Sequence, residues 1–456
     1  VFLIAFFLAS VTAWWPVRWQ TVDSGSLALL EGSPLNCLLL EEPQWQRSFA
    51  DAAHAKRLTL LAVVRDGKAE TAQRATGLGL DGIAAEGPVS EPLRAWAKET
   101  GKPLVEILPR ASLDFQNAAV VATAQGLWPG VRVEKDGHAE ARPTSGPWIE
   151  TNSGYLRYAR AVTPTSSAVW IANRPPAEGL RGEQYVRAIA DAAMSGARWV
   201  VSLDPLFWQA LEKHETRALE GWQRIQRALS FYAQNEALCL LPDSSGLALL
   251  EDPSTGALIS GGIVDMITAK HIPVTLSTPG AFTAAPPDGL KMLLNIDPSL
   301  LSAEQKEAVR GVARKGATLV NGPPGWKMSL PPPEQITFSD EQIKQLDGIW
   351  REINGLIGRR NFAVRVFGAP GMLSNLKADL KKKRLVMHMV NYTDYPVESI
   401  ALQFNSKIKS AELVTPRGSK KLAVYAVEEG TGVDIDKIED VAMVLLEEDS
   451  TAQPKR

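Results

Sequence analysis

Leu58-Thr59-Leu60-Leu61-Ala62-Val63-Val64, the turn residues Arg65-Asp66-Gly67, the helix-period stretch Ala69–Thr76 and a second apolar run, Gly82-Ile83-Ala84-Ala85, follow one another in that order, and the order decides the fold. An apolar run of this length, bounded by turn residues and followed by an amphipathic segment, reads as a buried parallel strand with its crossover helix. The unit repeats outward on both sides. Cys37–Leu40 precedes it, with a helical stretch at Gln44–Lys56 between. Downstream come the helix-period stretch Glu91–Thr100 and the runs Pro103–Leu108, Ala119–Val133, Trp148–Ile149, Ala168–Ala172 and Arg198–Leu203, the last preceded by the helical stretch Glu183–Ser195. Eight runs in alternation predict an α/β fold that closes as a (β/α)8 TIM-like barrel, spanning residues 14–236.

The pattern changes twice further on. Residues 237–358 read as a flavodoxin-like α/β domain with a linker helix: strands at Leu238–Leu241, Pro273–Ser277, Lys291–Ile296 and Ala317–Val320, and a helix at Gly261–Lys270. Ser302 with Gln305 three residues on forms a capping box for the helix Ser302–Lys315, and Gly316 suits the position just past its end. Prolines 323, 324 and 331–333 mark an irregular stretch before a helix from Ser339 to about Leu356. From 359 to 456, period-two runs at close spacing predict a small antiparallel β-sandwich.

The 456 residues exceed what one hydrophobic core holds. With 49 Lys and Arg against 51 Asp and Glu, the net charge of −2 offers no field to recruit nucleic acid. The chain has two cysteines, Cys37 and Cys239, each within an apolar run, so buried thiols are expected rather than a disulfide. No zinc-ligand spacing, phosphate-cradling glycine loop or esterase elbow occurs; neither metal nor cofactor is expected. Residues 1–9 are wholly apolar, and Ser10-Val11-Thr12-Ala13 supplies small residues suited to cleavage before Trp14. That stretch is too short to span a membrane, so 1–13 reads as a signal peptide and the protein as secreted or periplasmic.

Two stretches resemble the family 42 glycoside hydrolases, microbial β-galactosidases built as barrel, amidotransferase-like domain and β-sandwich. Leu294-Asn295-Ile296-Asp297-Pro298 with Leu301-Ser302-Ala303-Glu304-Gln305 and Lys315–Val320 looks like their middle domain, and Leu385-Val386-Met387-His388-Met389-Val390-Asn391-Tyr392 like a strand of their last. The resemblance implies a carbohydrate substrate and an oligomer formed through the middle domain. It also implies a glutamate at the end of barrel strands 4 and 7. Counting from Cys37–Leu40, strand 4 here ends Leu108-Pro109-Arg110 and strand 7 ends Ala172-Asn173-Arg174, so β-galactosidase activity does not carry over.

Barrel enzymes carry their chemistry at the carboxyl ends of the strands, and glycosidic cleavage needs two carboxyl groups there. Glu41, Glu86, Glu150 and Asp204 stand at such ends, with Glu150 and Asp204 the first pair to consider. Asp204, before Pro205, also fits a helix N-cap. Trp128 and Trp148 offer aromatic faces for sugar rings, and Asn152, Arg174 and Arg110 offer polar contacts. The sequence thus supports a glycoside hydrolase with two catalytic carboxylates; a barrel that binds carbohydrate without cleaving it, or an oligomeric scaffold, are the alternatives.

Overall fold

The computed structural model describes residues 11–131, 149–177, 179–250, 258–287, 289–322, 338–357 and 362–449. Contacts divide the chain into two units, Val1–Trp128 with Thr163–Gln234, and Pro129–Val162 with Asn235–Arg456.

The first unit is a ring of parallel strands with helices between them. In chain order the strands are β1 (Pro16–Arg18), β2 (Cys37–Leu40), β3 (Thr59–Val64), β4 (Gly82–Glu86), β5 (Leu104–Ile107) and β6 (Val120–Thr123). After an excursion into the second unit (β7, Gly130–Val131; β8, Ile149–Glu150) come β9 (Ala168–Ile171), β10 (Arg198–Trp199) and β11 (Val201–Ser202). Each of β1 to β5 pairs with the next, and β6 pairs with β9. The run 198–202 joins the two ends, β10 bonding to β9 and β11 to β1.

Eight places fill the ring, and one of them corrects the sequence reading. The run at Trp148–Ile149 is not among them: its described part pairs antiparallel with β7 as a separate two-stranded ribbon. Pro16-Val17-Arg18 takes that place. Three residues that include a proline and an arginine make no apolar run, so only pairing with Cys37–Leu39 and Val201–Ser202 reveals them as a strand.

Strand side chains alternate between faces, and here one face forms a single core. Cys37 and Leu39, Leu61 and Val63, Ala84, Val105 and Ile107, Val120 and Ala122, Trp170 and Ala172, and Val200 cluster together with Val11 and Trp14. The Arg198 guanidinium donates to the Thr12 and Trp14 carbonyls at 2.6 and 2.7 Å and stacks 4.9 Å over the Trp15 ring, which ties residues 12–15 to the barrel. Residues 1–10, the bulk of the expected signal segment, lie outside the described residues.

In the second unit a four-stranded parallel sheet comprises β12 (Leu247–Leu250), β13 (Thr275–Ser277), β14 (Met292–Asn295) and β15 (Thr318–Asn321), ordered β13-β12-β14-β15. The expected strand at Leu238–Leu241 is instead a short helix, Glu236–Cys239. Leu240 is 41% exposed, so that run never gains the two-sided burial a central parallel strand requires. The Ser302–Gln305 capping box forms as expected, with Gln305 N donating to Ser302 Oγ at 3.2 Å and Ser302 N to Gln305 Oε1 at 2.8 Å.

Two antiparallel sheets follow. One holds β16 (Val364–Phe367), β19 (Val397–Phe404), β22 (Val424–Val427) and β23 (Gly430–Ile438). The other holds β17 (Met372–Asp379), β18 (Arg384–Asn391), β20 (Ile408–Thr415), β21 (Gly418–Leu422) and β24 (Val441–Glu448). Met372, Leu376, Met387 and Val444 from one sheet share a core with Ile400, Leu402, Phe404 and Val433 from the other.

The helix Ser153–Val162 belongs to this unit and crosses the helix Leu258–Thr268 at two glycines. A methyl group on Gly154 would lie 2.2 Å from the Gly261 carbonyl oxygen, and Gly154 N donates to Asp265 Oδ1 at 2.7 Å. G154A is therefore expected to push the helices apart and destabilise the unit by about 2–3 kcal/mol. Urea unfolding of the variant checks this, and an unchanged midpoint would contradict it.

Candidate functional site

At the carboxyl ends of the barrel strands the inward register turns from apolar to charged. At the parity of the core residues, Leu39 is followed by Glu41, Val63 by Arg65, Ala84 by Glu86 and Ala172 by Arg174, while Arg18 ends β1. Side chains two apart on a strand share a face, so Glu41, Arg65 and Glu86 continue the barrel interior by one layer, while Arg174 follows on the loop after β9. That mouth is where barrel folds build their sites.

Four of the five are joined by ion pairs. Arg18 Nη1 lies 3.4 Å from Glu41 Oε1, and Arg18 Nη2 donates to Glu86 Oε1. Arg65 Nη1 donates to Glu41 Oε2, and Arg65 Nη2 stands 2.8 Å from Glu41 Oε1 and 2.9 Å from Glu86 Oε2. Both carboxylates are therefore held by both guanidiniums. Glu41 also opens the turn Glu42–Gln44, its backbone N donating to Gln44 Oε1 at 2.7 Å.

The electrostatics follow from this packing. Burial alone would raise the Glu41 pKa, but the hydrogen bond and charge of Arg65, with the charges of Arg18 and Arg174, outweigh it and hold the carboxyl below its usual range. Arg18 falls to about 10, through desolvation first, opposed by Glu41 and reinforced by the positive charges of Arg65 and Arg174. Arg65 is raised, chiefly by its hydrogen bond to Glu41. An ionised Glu41 between the charged Arg18 and Arg65 is thus the resting state of that pair of contacts.

Arg174 sits on the loop after β9 with its side chain exposed. The loop is anchored: Trp128 Nε1 donates to the Arg174 carbonyl at 2.8 Å, and Asn173 Nδ2 to the Gly126 carbonyl at 2.7 Å. Trp128 meets Tyr185 and Trp199 edge to face at 5.4 and 5.0 Å, so its ring is part of the rim's packing rather than an open sugar platform.

Asp204 is at the end of the last strand but is not available for chemistry. It is 1% exposed, and its carboxylate accepts from Leu206 N, Phe207 N, Leu180 N and the Tyr185 hydroxyl at 2.9–3.0 Å. It is the N-cap of the helix Pro205–Glu212. Arg110 opens a short turn after β5, where its backbone N donates to Gln125 Oε1 at 2.7 Å.

Glu150 and Asn152 belong to the second unit, not to the barrel ring. Glu150 ends β8, opposite Gly130, and the buried Asn152 precedes the helix Ser153–Val162, its carbonyl accepting from Leu156 N at 2.9 Å. The first-choice pair Glu150 and Asp204 thus divides between a ribbon in one unit and a helix cap in the other. Trp148 lies outside the described residues.

Arg18 and Arg65 were missed in the sequence. Arg65 was legible in principle, because Leu61, Val63 and Arg65 share parity; Arg18 was not, because its strand has no apolar signature. Among the described residues no three His, Cys, Asp or Glu side chains group as a metal ion would require, and no helix is long and apolar enough to cross a membrane.

No family model matches the chain, and no curated protein is similar to it in sequence. Solved structures are similar in shape. The α-L-fucosidase isoenzyme 2 from Paenibacillus thiaminolyticus aligns over 95% of this chain and 99% of its own, at 11% identity and a TM-score of 0.59. A rhamnosidase from Novosphingobium sp. PP1Y aligns over 89% and 40%, at 13% identity and 0.45. A maltogenic α-amylase from Thermotoga neapolitana aligns over 95% and 96%, at 9% and 0.27. The fucosidase likeness is one of fold over 95% of the chain; the other two superpose too loosely to say more.

Proposed function

We propose that this protein is a glycoside-hydrolase-like barrel that binds carbohydrate at the charged mouth formed by Arg18, Glu41, Arg65, Glu86 and Arg174. The observation that carries the reading is the ion-paired layer itself, which replaces an otherwise apolar interior at the end of the barrel where sites are built. The fold shared with a fucosidase and the order of barrel, parallel sheet and antiparallel sheets support a carbohydrate ligand. The β13-β12-β14-β15 order supports reading the middle sheet as flavodoxin-like, in keeping with the family 42 resemblance.

Binding without cleavage fits the electrostatics best. Glycosidic cleavage needs one carboxyl protonated as acid and one ionised. Glu41 and Glu86 share the same two guanidiniums, and Glu41 is held below its usual pKa. Counting from β1, Glu86 ends the fourth strand of the ring, where the family resemblance implies one catalytic glutamate. Arg174 follows the seventh, where it implies the other, so the second carboxylate is replaced by a cation.

One observation favours hydrolysis. Oxygens of Glu41 and Glu86 lie 2.8 and 2.9 Å from the same Arg65 Nη2, hence less than about 6 Å from each other, within reach of the roughly 5–5.5 Å separation of retaining glycosidases. Calorimetry against an oligosaccharide panel, paired with a reducing-end assay, separates the readings. The expected result is binding without release of reducing ends, weakened about tenfold in E41Q and in E86Q. Steady release that both variants abolish would establish the hydrolase instead. Absence of any binding would remove both. Export, read from the apolar stretch 1–9, is part of the same proposal and is tested by fractionating the producing cells.

A further inference from the structure

Arg174 is the one arginine of the mouth layer without a salt bridge or side-chain hydrogen bond among the described residues, while Arg18 and Arg65 are committed to Glu41 and Glu86. Among these five residues three cations therefore stand with two anions, and the surplus positive charge is on an exposed, fork-shaped donor. The donors are also unmatched by acceptors. A guanidinium has five N–H groups and accepts nothing, and the Glu41 and Glu86 oxygens already accept from arginine. A neutral sugar hydroxyl both donates and accepts, so it finds few free acceptors here. A carboxylate or sulfate only accepts, and a planar guanidinium pairs with it bidentately.

We propose that the mouth recognises an anionic saccharide, bearing a carboxylate or a sulfate ester, with Arg174 as the group that binds the anion. This inference rests on the carbohydrate reading of the same mouth and names its ligand class. Trp128 is then a positioning residue: its indole N–H holds the Arg174 carbonyl at 2.8 Å, and its ring is fixed against Tyr185 and Trp199. The loop is pinned a second time where Gly126 N donates to the Ala172 carbonyl at 2.8 Å, so the arginine is presented from a rigid support. Arg18 is lowered first by desolvation, opposed by Glu41, and the charges of Arg65 and Arg174 add only a smaller lowering.

Calorimetry on the full chain tests the proposal with three probes: an oligogalacturonate, its fully methyl-esterified form and a sulfated neutral oligosaccharide. Either acidic probe is expected to bind at least about tenfold tighter than the ester, the preference shrinking as salt is raised. Whichever acidic probe binds identifies the anion. R174A should abolish the preference and R174K restore it in part, since lysine keeps the charge but not the fork. Equal binding of ester and acid, or a preference untouched in R174A, overturns this inference and leaves carbohydrate binding standing. Binding of none of the three, together with failure of the neutral panel, removes the carbohydrate reading as well.

Discussion

Replacing Asp204 by alanine is expected to destabilise the barrel by about 3–5 kcal/mol, because it strands four donors that have no other described partner in reach. The carboxylate caps the helix Pro205–Glu212 through Leu206 N and Phe207 N, holds the loop before the preceding helix through Leu180 N, and accepts from the Tyr185 hydroxyl. Tyr185 returns the interaction by accepting from Asp204 N at 2.7 Å, and its own ionisation is pushed up by burial. For a unit of this size such a loss corresponds to a drop in melting temperature of roughly 10 °C. D204N keeps one acceptor oxygen and should cost less. Thermal unfolding of both variants checks this order. A D204A protein as stable as the parent, but inactive toward its ligand, would return Asp204 to the site.

Acidification is expected to weaken the second unit well above the pH at which ordinary carboxylates titrate. Two histidines stay neutral in the fold: His271 is lowered to about 4 and His388 to about 3, each chiefly by desolvation. His388 also faces the charges of Lys377 and Arg157, opposed by Asp243 and the Leu238 backbone. His271 bridges Ser374 Oγ at 3.1 Å and the Ala369 carbonyl at 3.0 Å. Because the folded values lie below the unfolded one near 6.5, the unfolded chain binds more protons between those limits, and stability is lost as pH falls from 6.5 toward 4. Each histidine contributes a slope of about 1.4 kcal/mol per pH unit, so the two together cost on the order of 5 kcal/mol by pH 4.5. Urea unfolding at pH 7, 5.5 and 4.5 measures the slope, and H388L should roughly halve it. Stability that stays flat over this range would disprove the linkage.

The surroundings of His388 explain why the effect is confined to histidine. Asp243 is half-buried, with Lys377 Nζ at 3.1 Å, Asn375 Nδ2 at 3.0 Å and Arg157 at 3.9 Å, and Lys377 donates also to the Leu241 carbonyl. Although burial alone would raise the Asp243 carboxyl, these cations and hydrogen bonds lower it on balance, so its contribution is lost only at more acidic pH.

Much of the barrel was legible because its signal is local. Cys37–Leu40 forms the strand read from its four apolar residues, and Thr59–Val64 and Leu104–Ile107 fall within one residue of their expected ends. The sheet is parallel and barrel-like as expected but has nine strands, two of them within the run 198–202, and Pro16–Arg18 is a strand by virtue of its neighbours alone. Missing that strand moved Glu86 from the fourth strand of the ring to the third. Trp128 shows the same limit, because an aromatic on a turn looks identical in sequence whether its face is open or packed.

The sequence by itself determined that Glu41, Arg65 and Glu86 share the face of Leu39, Val63 and Ala84, because side-chain parity along a strand is a property of the backbone. Only the tertiary structure decided what those charges do. Arg18 meets Glu41 from 23 residues away and Glu86 from 68 residues away, and Leu180 reaches Asp204 across 24. A carboxylate with no partner and one shared between two arginines are the same letter in the chain. Their protonation and their availability to a ligand depend on neighbours that ring closure alone brings together.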